Sequence, residues 1–315
     1  MKIAIFGVWH VHARDYTKHA LERAEVVGFY EKEDHLAENF AKEFGIKRLG
    51  TPEQLLTSEA EGVIVCSASS DHGEDILKIA EAGKDIFTEK VLALTSAECE
   101  KIAEAVERNG VRLVVSLFQK YSAKHIALKK VVDSGELGKV NYVRFRNCHS
   151  GSTKDWLPAH FYCREQCGGG AMIDLGAHGM YLIHWILGLP KRAKSVFTIS
   201  CESEAVAKKN CDKVEDNAVT VMEYENGAIA VNETGFVSGY SPSVLEVFGE
   251  EGYVKVMGES VCKCTSATGG KEIPVETGEG LPIPIVQFLT GDVLDGCGIT
   301  EGIALTKMME LAYEG

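Results

Sequence analysis

Proline is scarce in this chain of 315 residues, with seven in all, and tryptophan scarcer, with three. Basic residues are also short, 33 Lys and Arg against 46 Asp and Glu, which leaves a formal charge of −13. That deficit argues against nucleic acid as a partner, because neutralising phosphates needs a Lys/Arg surplus. It says little about substrate, since the local field of a cleft can oppose the net charge. No hydrophobic run is long enough to span a bilayer; the best, Met180 to Leu189, is short and interrupted by His184. At the N-terminus one Lys precedes the apolar run Ile3 to Phe6 and then Gly7, which is too brief for a secretory core and reads as a strand. Ten cysteines without an export signal point to reduced thiols in the cytoplasm. Cys163-x3-Cys167 and Cys262-x-Cys264 lack the tighter, doubled spacing of a structural zinc site, so no metal is expected.

What is present is ordinary for a globular chain, 45% hydrophobic and 25% charged, and long enough for two cores. The first part alternates strand and helix. Strands are expected at Lys2–Phe6, Glu25–Tyr30, Gly62–Cys66 and Asp85–Thr88, and a sixth strand at Val111–Ser116. Helices are expected at Val11–Arg23, Asp34–Phe44, Pro52–Leu56, Glu74–Glu81 and Ser96–Arg108, with Gly45, Gly83 and Gly110 as left-handed stops. Short apolar strands between such helices imply a doubly wound parallel sheet covered on both faces. After a connecting helix near Ala123–Ser134 the rhythm changes. Val140–Arg146, Ala193–Ile199, Ala218–Tyr224, Ala228–Thr234, Val244–Gly249 and Tyr253–Met257 read as strands, and Glu225-Asn226-Gly227 as a hairpin turn. One conspicuous helix runs from about Ala171 to Leu187. The expected organisation is therefore a dinucleotide-binding (Rossmann) domain over 1–120 and an α+β domain over 121–315, with a large, mostly antiparallel sheet able to present one face to a second subunit.

A dinucleotide fold wants glycines after its first strand, so that backbone can approach a pyrophosphate at a helix N-terminus. Here that turn is Gly7-Val8-Trp9-His10-Val11-His12, with only the first glycine of G-x-G-x-x-G. Trp9 calls for a wider turn and a stacking role on the cofactor; the alternative is that it packs on the sheet edge. His10-x-His12 is read as part of this turn in preference to a metal pair. Glu31 ends the second strand, where an acidic residue grips ribose hydroxyls and repels a 2′-phosphate. NAD is accordingly favoured, with NADP the alternative through Lys32; a solvated strand-end charge is the plainer reading of Glu31.

The chain resembles the glucose–fructose oxidoreductase / inositol dehydrogenase / MocA (Gfo/Idh/MocA) family along essentially its whole length. Val63 to His72 is similar to the family's fourth-strand segment, with Ser67, Ala68 and Ser69 where Thr, Pro and Asn are usual and His72 retained. Gly83-Lys84-Asp85-Ile86-Phe87-Thr88-Glu89-Lys90-Val91 resembles G-K-H-V-x-x-E-K-P, with Val91 for the proline. Phe118 to Tyr121 resembles the close of the nucleotide domain, with Lys120 where Arg is common, and Ser134 to Val140 the entry into the second domain. Gly168-Gly169-Gly170 through Asp174, Gly176 and His178 to Gly188 resembles the family's most specific motif. Tyr181 stands where many members carry an Asp that touches a polyol hydroxyl, which suggests a different or less hydroxylated substrate.

The resemblance implies an NAD(P)-dependent oxidoreductase acting on an alcohol or ketone carbon of a sugar, polyol or related small molecule. It implies cofactor contacts from Gly7, Val8, Trp9, His10, Val11, Glu31, Lys32, Ser67, Ser69, His72, Glu89, Lys90 and Lys120, with Glu89 on the nicotinamide ribose. It also implies a homodimer or homotetramer through the second-domain sheet. The side chains agree with such chemistry. Oxidising an alcohol requires a base for the hydroxyl proton while nicotinamide takes the hydride. Asp174 and His178, at i and i+4, share a helix face, so the carboxylate can orient the imidazole; the alternative is a capping Asp and a core His. Lys90, at a strand's C-terminal end, can stabilise a developing alkoxide, or be a plain exposed lysine. His178 is read as proton acceptor and Lys90 as polariser. Trp156, His160, Tyr162 and Arg164 are candidate substrate contacts beside Tyr181, or else packing at the domain junction. A nucleotide-binding sensor and an NAD-dependent glycosidase are the rival readings.

Overall fold

The computed structural model describes residues 1–314 and divides into two packed units. The first begins with β1 (Lys2–Phe6), α1 (Ala13–Arg23), β2 (Glu25–Tyr30), α2 (Asp34–Phe44) and α3 (Pro52–Leu56). It continues with β3 (Gly62–Val65), α4 (His72–Glu81), β4 (Asp85–Thr88), α5 (Ser96–Asn109) and β5 (Leu113–Val115). The strands form one parallel sheet in the order β2-β1-β3-β4-β5. It has five strands, so the segment expected as a sixth closes it as the fifth. Every residue of β3 is buried, as continuous apolar strands covered on both faces require. Gly45 and Gly110 end α2 and α5 in the left-handed conformation, and Thr95 with Glu98 forms a capping box that starts α5. Because β2 lies on one side of β1 and β3 on the other, the chain reverses direction across the sheet at β1. The crevice at the C-terminal ends of β1 and β3 is where such sheets take ligands.

The second unit runs through α6 (Ala123–Asp133), β6 (Val140–Cys148), α7 (Arg164–Cys167), a π-turn at Met172–Gly176, α8 (Ala177–Leu187), β7 (Arg192–Thr198) and α9 (Glu204–Lys209). Then follow β8 (Asn217–Glu223), β9 (Ile229–Gly235), β10 (Val244–Gly249), β11 (Gly252–Met257), β12 (Ser260–Thr265) and β13 (Ile273–Pro274). These eight strands make one sheet, β13-β12-β11-β10-β6-β9-β8-β7, antiparallel throughout except for the parallel pair β6 and β9. Strict alternation of buried and exposed residues along β8 shows one covered face. The apolar α8 lies on that face. A Cβ on Gly179 would stand 2.5 Å from Phe145 and 2.2 Å from Asn232, so only glycine lets the helix come so near.

Two helices follow, α10 (Pro284–Thr290) and α11 (Ile299–Glu314). The first unit comprises Met1–Ser116 and Pro282–Thr306, the second Leu117–Leu281 and the chain from Lys307 onward. By packing, residues 282–306 thus group with the first unit although they follow the second in sequence. Phe288 of α10 explains the return: its ring packs 5.9 Å from Phe87 and lies under the Arg112 guanidinium at 5.2 Å. No local pattern reveals such a docking.

Candidate active site

In the first unit the turn after β1 is built around Gly7. Its φ of +79° suits glycine, and a Cβ would come within 2.4 Å of the Ser67 backbone nitrogen, so the turns after β1 and β3 touch here. Glu31 is 3% exposed and not a solvated charge. Its carboxylate accepts from the Val8 N–H at 2.7 Å and the Glu33 N–H at 2.9 Å, tying the end of β2 to the glycine turn. A carboxylate offers about four lone-pair sites, so capacity for two hydroxyls is left. Lys32 is held by Asp71 at 2.6 Å. A cavity of about 160 Å³ opens between these groups, lined by Gly7, Trp9, Glu31, Lys32, Ser67 and Asp75 among others. Burial lifts the Asp75 carboxyl to about 6, with the Ser67 hydroxyl offsetting part of the effect. Trp9, 6% exposed, is a wall of the cavity, whereas Val11 is exposed and Ser69 half-buried.

His72 has a bracing position. Its ring nitrogens face the Val91 carbonyl at 2.7 Å and the Ser67 carbonyl at 3.2 Å, joining the turn after β3 to the turn after β4. The Lys90–Val91 peptide in that second turn is cis. Lys90 itself is 4% exposed and Glu89 1%. The Glu89 carboxylate is engaged inside the protein: it accepts from the Lys90 N–H at 2.7 Å, meets Nδ1 of His12 at 2.7 Å, and is bonded by the Tyr16 hydroxyl. Burial pushes this carboxyl up, but His10, His12 and Lys90 outweigh burial together and hold it well below the ordinary carboxylate range. Tyr16 in turn meets Ser116 at 2.6 Å. Neither His12 nor Tyr16 was connected to Glu89 by the sequence, because they stand 77 and 73 residues from it along the chain.

In the second unit the run Gly168-Gly169-Gly170 has separate reasons at each position. Gly168 ends α7 at φ +83°. A Cβ on Gly169 would meet the Tyr313 hydroxyl at 2.0 Å, and one on Gly170 the Glu215 carbonyl at 2.0 Å. Glu215, 4% exposed, accepts from the N–H groups of Gly170 and Met172 and from the Tyr313 hydroxyl, and so caps the helix that carries Asp174 and His178. That helix opens with the π-turn, and the Asn232 amide bonds the Gly176 carbonyl at 2.8 Å. Asp174 and His178 therefore do not sit one regular α-turn apart. The partner at Nδ1 of His178 is the Tyr181 hydroxyl, 2.9 Å away, and that oxygen also accepts from the Gln119 N–H at 3.2 Å. Phe118 packs edge-on against the imidazole at 5.1 Å. The Asp174 charge acts on His149, whose pKa burial lowers and Asp174 raises. His149 stacks on Phe236 at 5.0 Å and contacts Trp156 at 4.6 Å, and its Nδ1 accepts from the Gly151 N–H. The sequence reading missed His149, although it follows the last residue of β6.

The other sequence candidates divide. Trp156 is 53% exposed and His160 half-buried. Tyr162 is a core residue, 1% exposed, with its hydroxyl on Ser152 at 2.8 Å. Arg164 lines another cavity of about 420 Å³ with Phe197, Lys213, Glu215 and Tyr313. Lys120 is buried, its ammonium 5.4 Å from the Trp185 ring centre.

Residues 1–117 match the model of an oxidoreductase family with an NAD-binding Rossmann fold, GFO/IDH/MocA, and residues 125–255 match a C-terminal domain model of that family. The scyllo-inositol 2-dehydrogenase (NAD(+)) of Bacillus subtilis (strain 168) is 29% identical over 225 residues, 69% of this chain and 62% of that protein. The myo-inositol 2-dehydrogenase of Thermotoga maritima is 27% identical over 229 residues, 71% of this chain and 64% of that protein. The chain thus spans a little under two thirds of the length of these curated relatives. A levoglucosan dehydrogenase solved with NADH and levoglucosan has a TM-score of 0.82 at 19% identity, covering 100% of this chain and 96% of the other. At that identity the likeness is one of fold.

Proposed function

Because the chain belongs to the GFO/IDH/MocA oxidoreductase family, we propose that it transfers a hydride between NAD and an alcohol or ketone carbon of a sugar, polyol or related small molecule. The observation that carries this reading is a lysine 4% exposed at the C-terminal end of a parallel strand. Burying an ammonium costs several kcal/mol before compensation, and strand C-termini are where open α/β sheets hold ligands.

The cradle fits a dinucleotide at its adenosine end, where Gly7 permits close approach, Glu31 keeps acceptor capacity and the cavity lies open between β1, β2 and β3. Trp9, Glu31, Ser67 and the Gly7–Val11 turn would hold it. Lys32, already paired with Asp71, is not poised for a 2′-phosphate, which favours NAD over NADP. NAD, when bound, supplies the hydride acceptor. Lys90 polarises the substrate oxygen, and His178 takes the hydroxyl proton as the hydride leaves the adjacent carbon. Tyr181 orients His178: with Tyr181 as the acceptor at Nδ1, the lone pair at Nε2 is the one available to a substrate proton. Asp174, His149 and Trp156 make a polar and aromatic wall suited to a hydroxylated ring. The relatives named for inositols support that substrate class.

Val196, Val219, Val221 and Ile229 expose apolar surface on β7, β8 and β9, and this supports a homodimer or homotetramer formed through that sheet. None of the ten cysteines is in a disulfide among the described residues, and no described helix is long and apolar enough to cross a membrane; both suit work in the cytoplasm.

The test is turnover. Purified protein with NAD⁺ is screened against sugars and polyols at alkaline pH, following the absorbance of reduced cofactor. Lys90→Met and His178→Ala each lower kcat by about 100-fold or more while NAD still binds. Turnover that survives both substitutions refutes the assignment, and NAD binding without turnover on any substrate makes the protein a sensor.

A further inference from the structure

His10, His12 and Glu89 bring together two ring nitrogens and a carboxylate oxygen, one from each residue, all within 4.8 Å of one another. The pair of histidines alone carries no metal argument. The fold adds the third donor from 77 residues away, at the end of β4. We propose that these three side chains bind one divalent first-row transition ion, with zinc as the first candidate.

The donor set selects the ion class. Two imidazoles and one carboxylate suit zinc and its neighbours, whereas magnesium and calcium want mostly oxygen. Ligands about 2.0–2.2 Å from a tetrahedral zinc stand roughly 3.4 Å apart. His12 Nδ1 and Glu89 are 2.7 Å apart and His10 Nδ1 and Glu89 are 4.0 Å apart, so these two pairs bracket that spacing. The site is enclosed: Glu89 is 1% exposed and His10 5%, with His12 the more open side at 31% of its side chain.

The surroundings have the form that orients metal ligands. Tyr16 and the Lys90 N–H both bond the Glu89 carboxylate from outside the triad, and Ser116 holds Tyr16. Binding exchanges contacts that exist now. The proton between His12 Nδ1 and Glu89 leaves to solvent as the ion takes its place. The His12 N–H contact to His10 Nδ1, at 3.2 Å, gives way to coordination. Uptake therefore releases protons and weakens as pH falls. The inference concerns metal content and is independent of whether the proposed hydride transfer occurs.

The experiment treats chelator-stripped full-length protein with one equivalent of zinc chloride, desalts it, and measures zinc by elemental mass spectrometry. Cobalt(II) is used in parallel for its visible spectrum. We expect close to one zinc per chain in the parent and at least a tenfold loss of affinity in His12→Gln and in Glu89→Gln, each with circular dichroism like the parent. If Glu89→Gln does not fold, His12→Gln, at the more open position, decides the matter. Cobalt should show ligand-field bands without thiolate charge transfer. Failure of the parent to retain zinc overturns the proposal and leaves a proton-only network. Zinc retained equally by His12→Gln, or cobalt bands of sulfur ligation, overturns it in favour of cysteine sites.

Discussion

The Tyr181 hydroxyl lies 2.9 Å from Nδ1 of His178, and the same oxygen accepts from the Gln119 backbone at 3.2 Å. A backbone amide thus fixes the tyrosine, and the tyrosine fixes the imidazole, in a position where many members of the family carry a carboxylate.

Tyr181→Phe deletes that link and leaves the ring packing intact. Loss of one buried hydrogen bond is worth about 1 kcal/mol, so kcat should fall about 5- to 10-fold with little change in KM, and the limb of the pH–rate profile assigned to His178 should move. An unchanged profile would show that Tyr181 does not orient the base.

At the cofactor end, Glu31→Gln keeps the shape of the staple to Val8 and Glu33 but removes its charge. NAD affinity should fall about tenfold, and discrimination against NADP should shrink, because the repulsion of a 2′-phosphate is gone. Fluorescence titration with both nucleotides measures this, and an unaltered NAD/NADP ratio would contradict the ribose role.

Asp75 predicts the sign of a stability change with pH. Its folded-state pKa of about 6 lies above the ordinary value of 3.8, so the folded protein binds this proton more tightly than the unfolded chain. Its contribution therefore favours folding below 3.8 and declines as pH rises from about 4 to 6. Asp75→Asn should stabilise the fold at pH 7–8 by about 3 kcal/mol, seen as a higher Tm, and remove that decline. Thermal melts of both proteins across pH 4 to 8 provide the comparison; parallel curves would mean Asp75 titrates normally.

Gly170→Ala would place a methyl carbon 2.0 Å from the Glu215 carbonyl. Backbone must move, at a cost of about 1–3 kcal/mol, and the helix carrying His178 shifts with it. Both Tm and kcat should drop. The change Gly83→Ala meets nothing within 4 Å and has only its φ of +68° to contend with. It should lower Tm by less and leave kcat alone. Equal effects on kcat would show that Gly170 is needed for its backbone freedom alone.

Period and punctuation alone determined the parallel half of this protein. Apolar runs bounded by Gly45, Gly83 and Gly110 locate β1 to β5 within a residue or two, since burial on both faces and left-handed caps are local demands. They also determined that Lys90 ends a strand and that His178 rides on a helix. What sits around those residues was decided only by tertiary contact. The Glu89 carboxylate meets His12 and Tyr16, which arrive from α1 and its turn. The π-turn alters the spacing between Asp174 and His178, and the Tyr181 hydroxyl comes to Nδ1. Glu215 explains a glycine 45 residues away, and Tyr313 explains another that is far more distant in sequence. Helical and strand periods report which face is buried; they carry no information about which distant group a buried polar atom will meet. That choice follows from the global packing, because a buried donor or charge must find its partner wherever the folded chain happens to bring one.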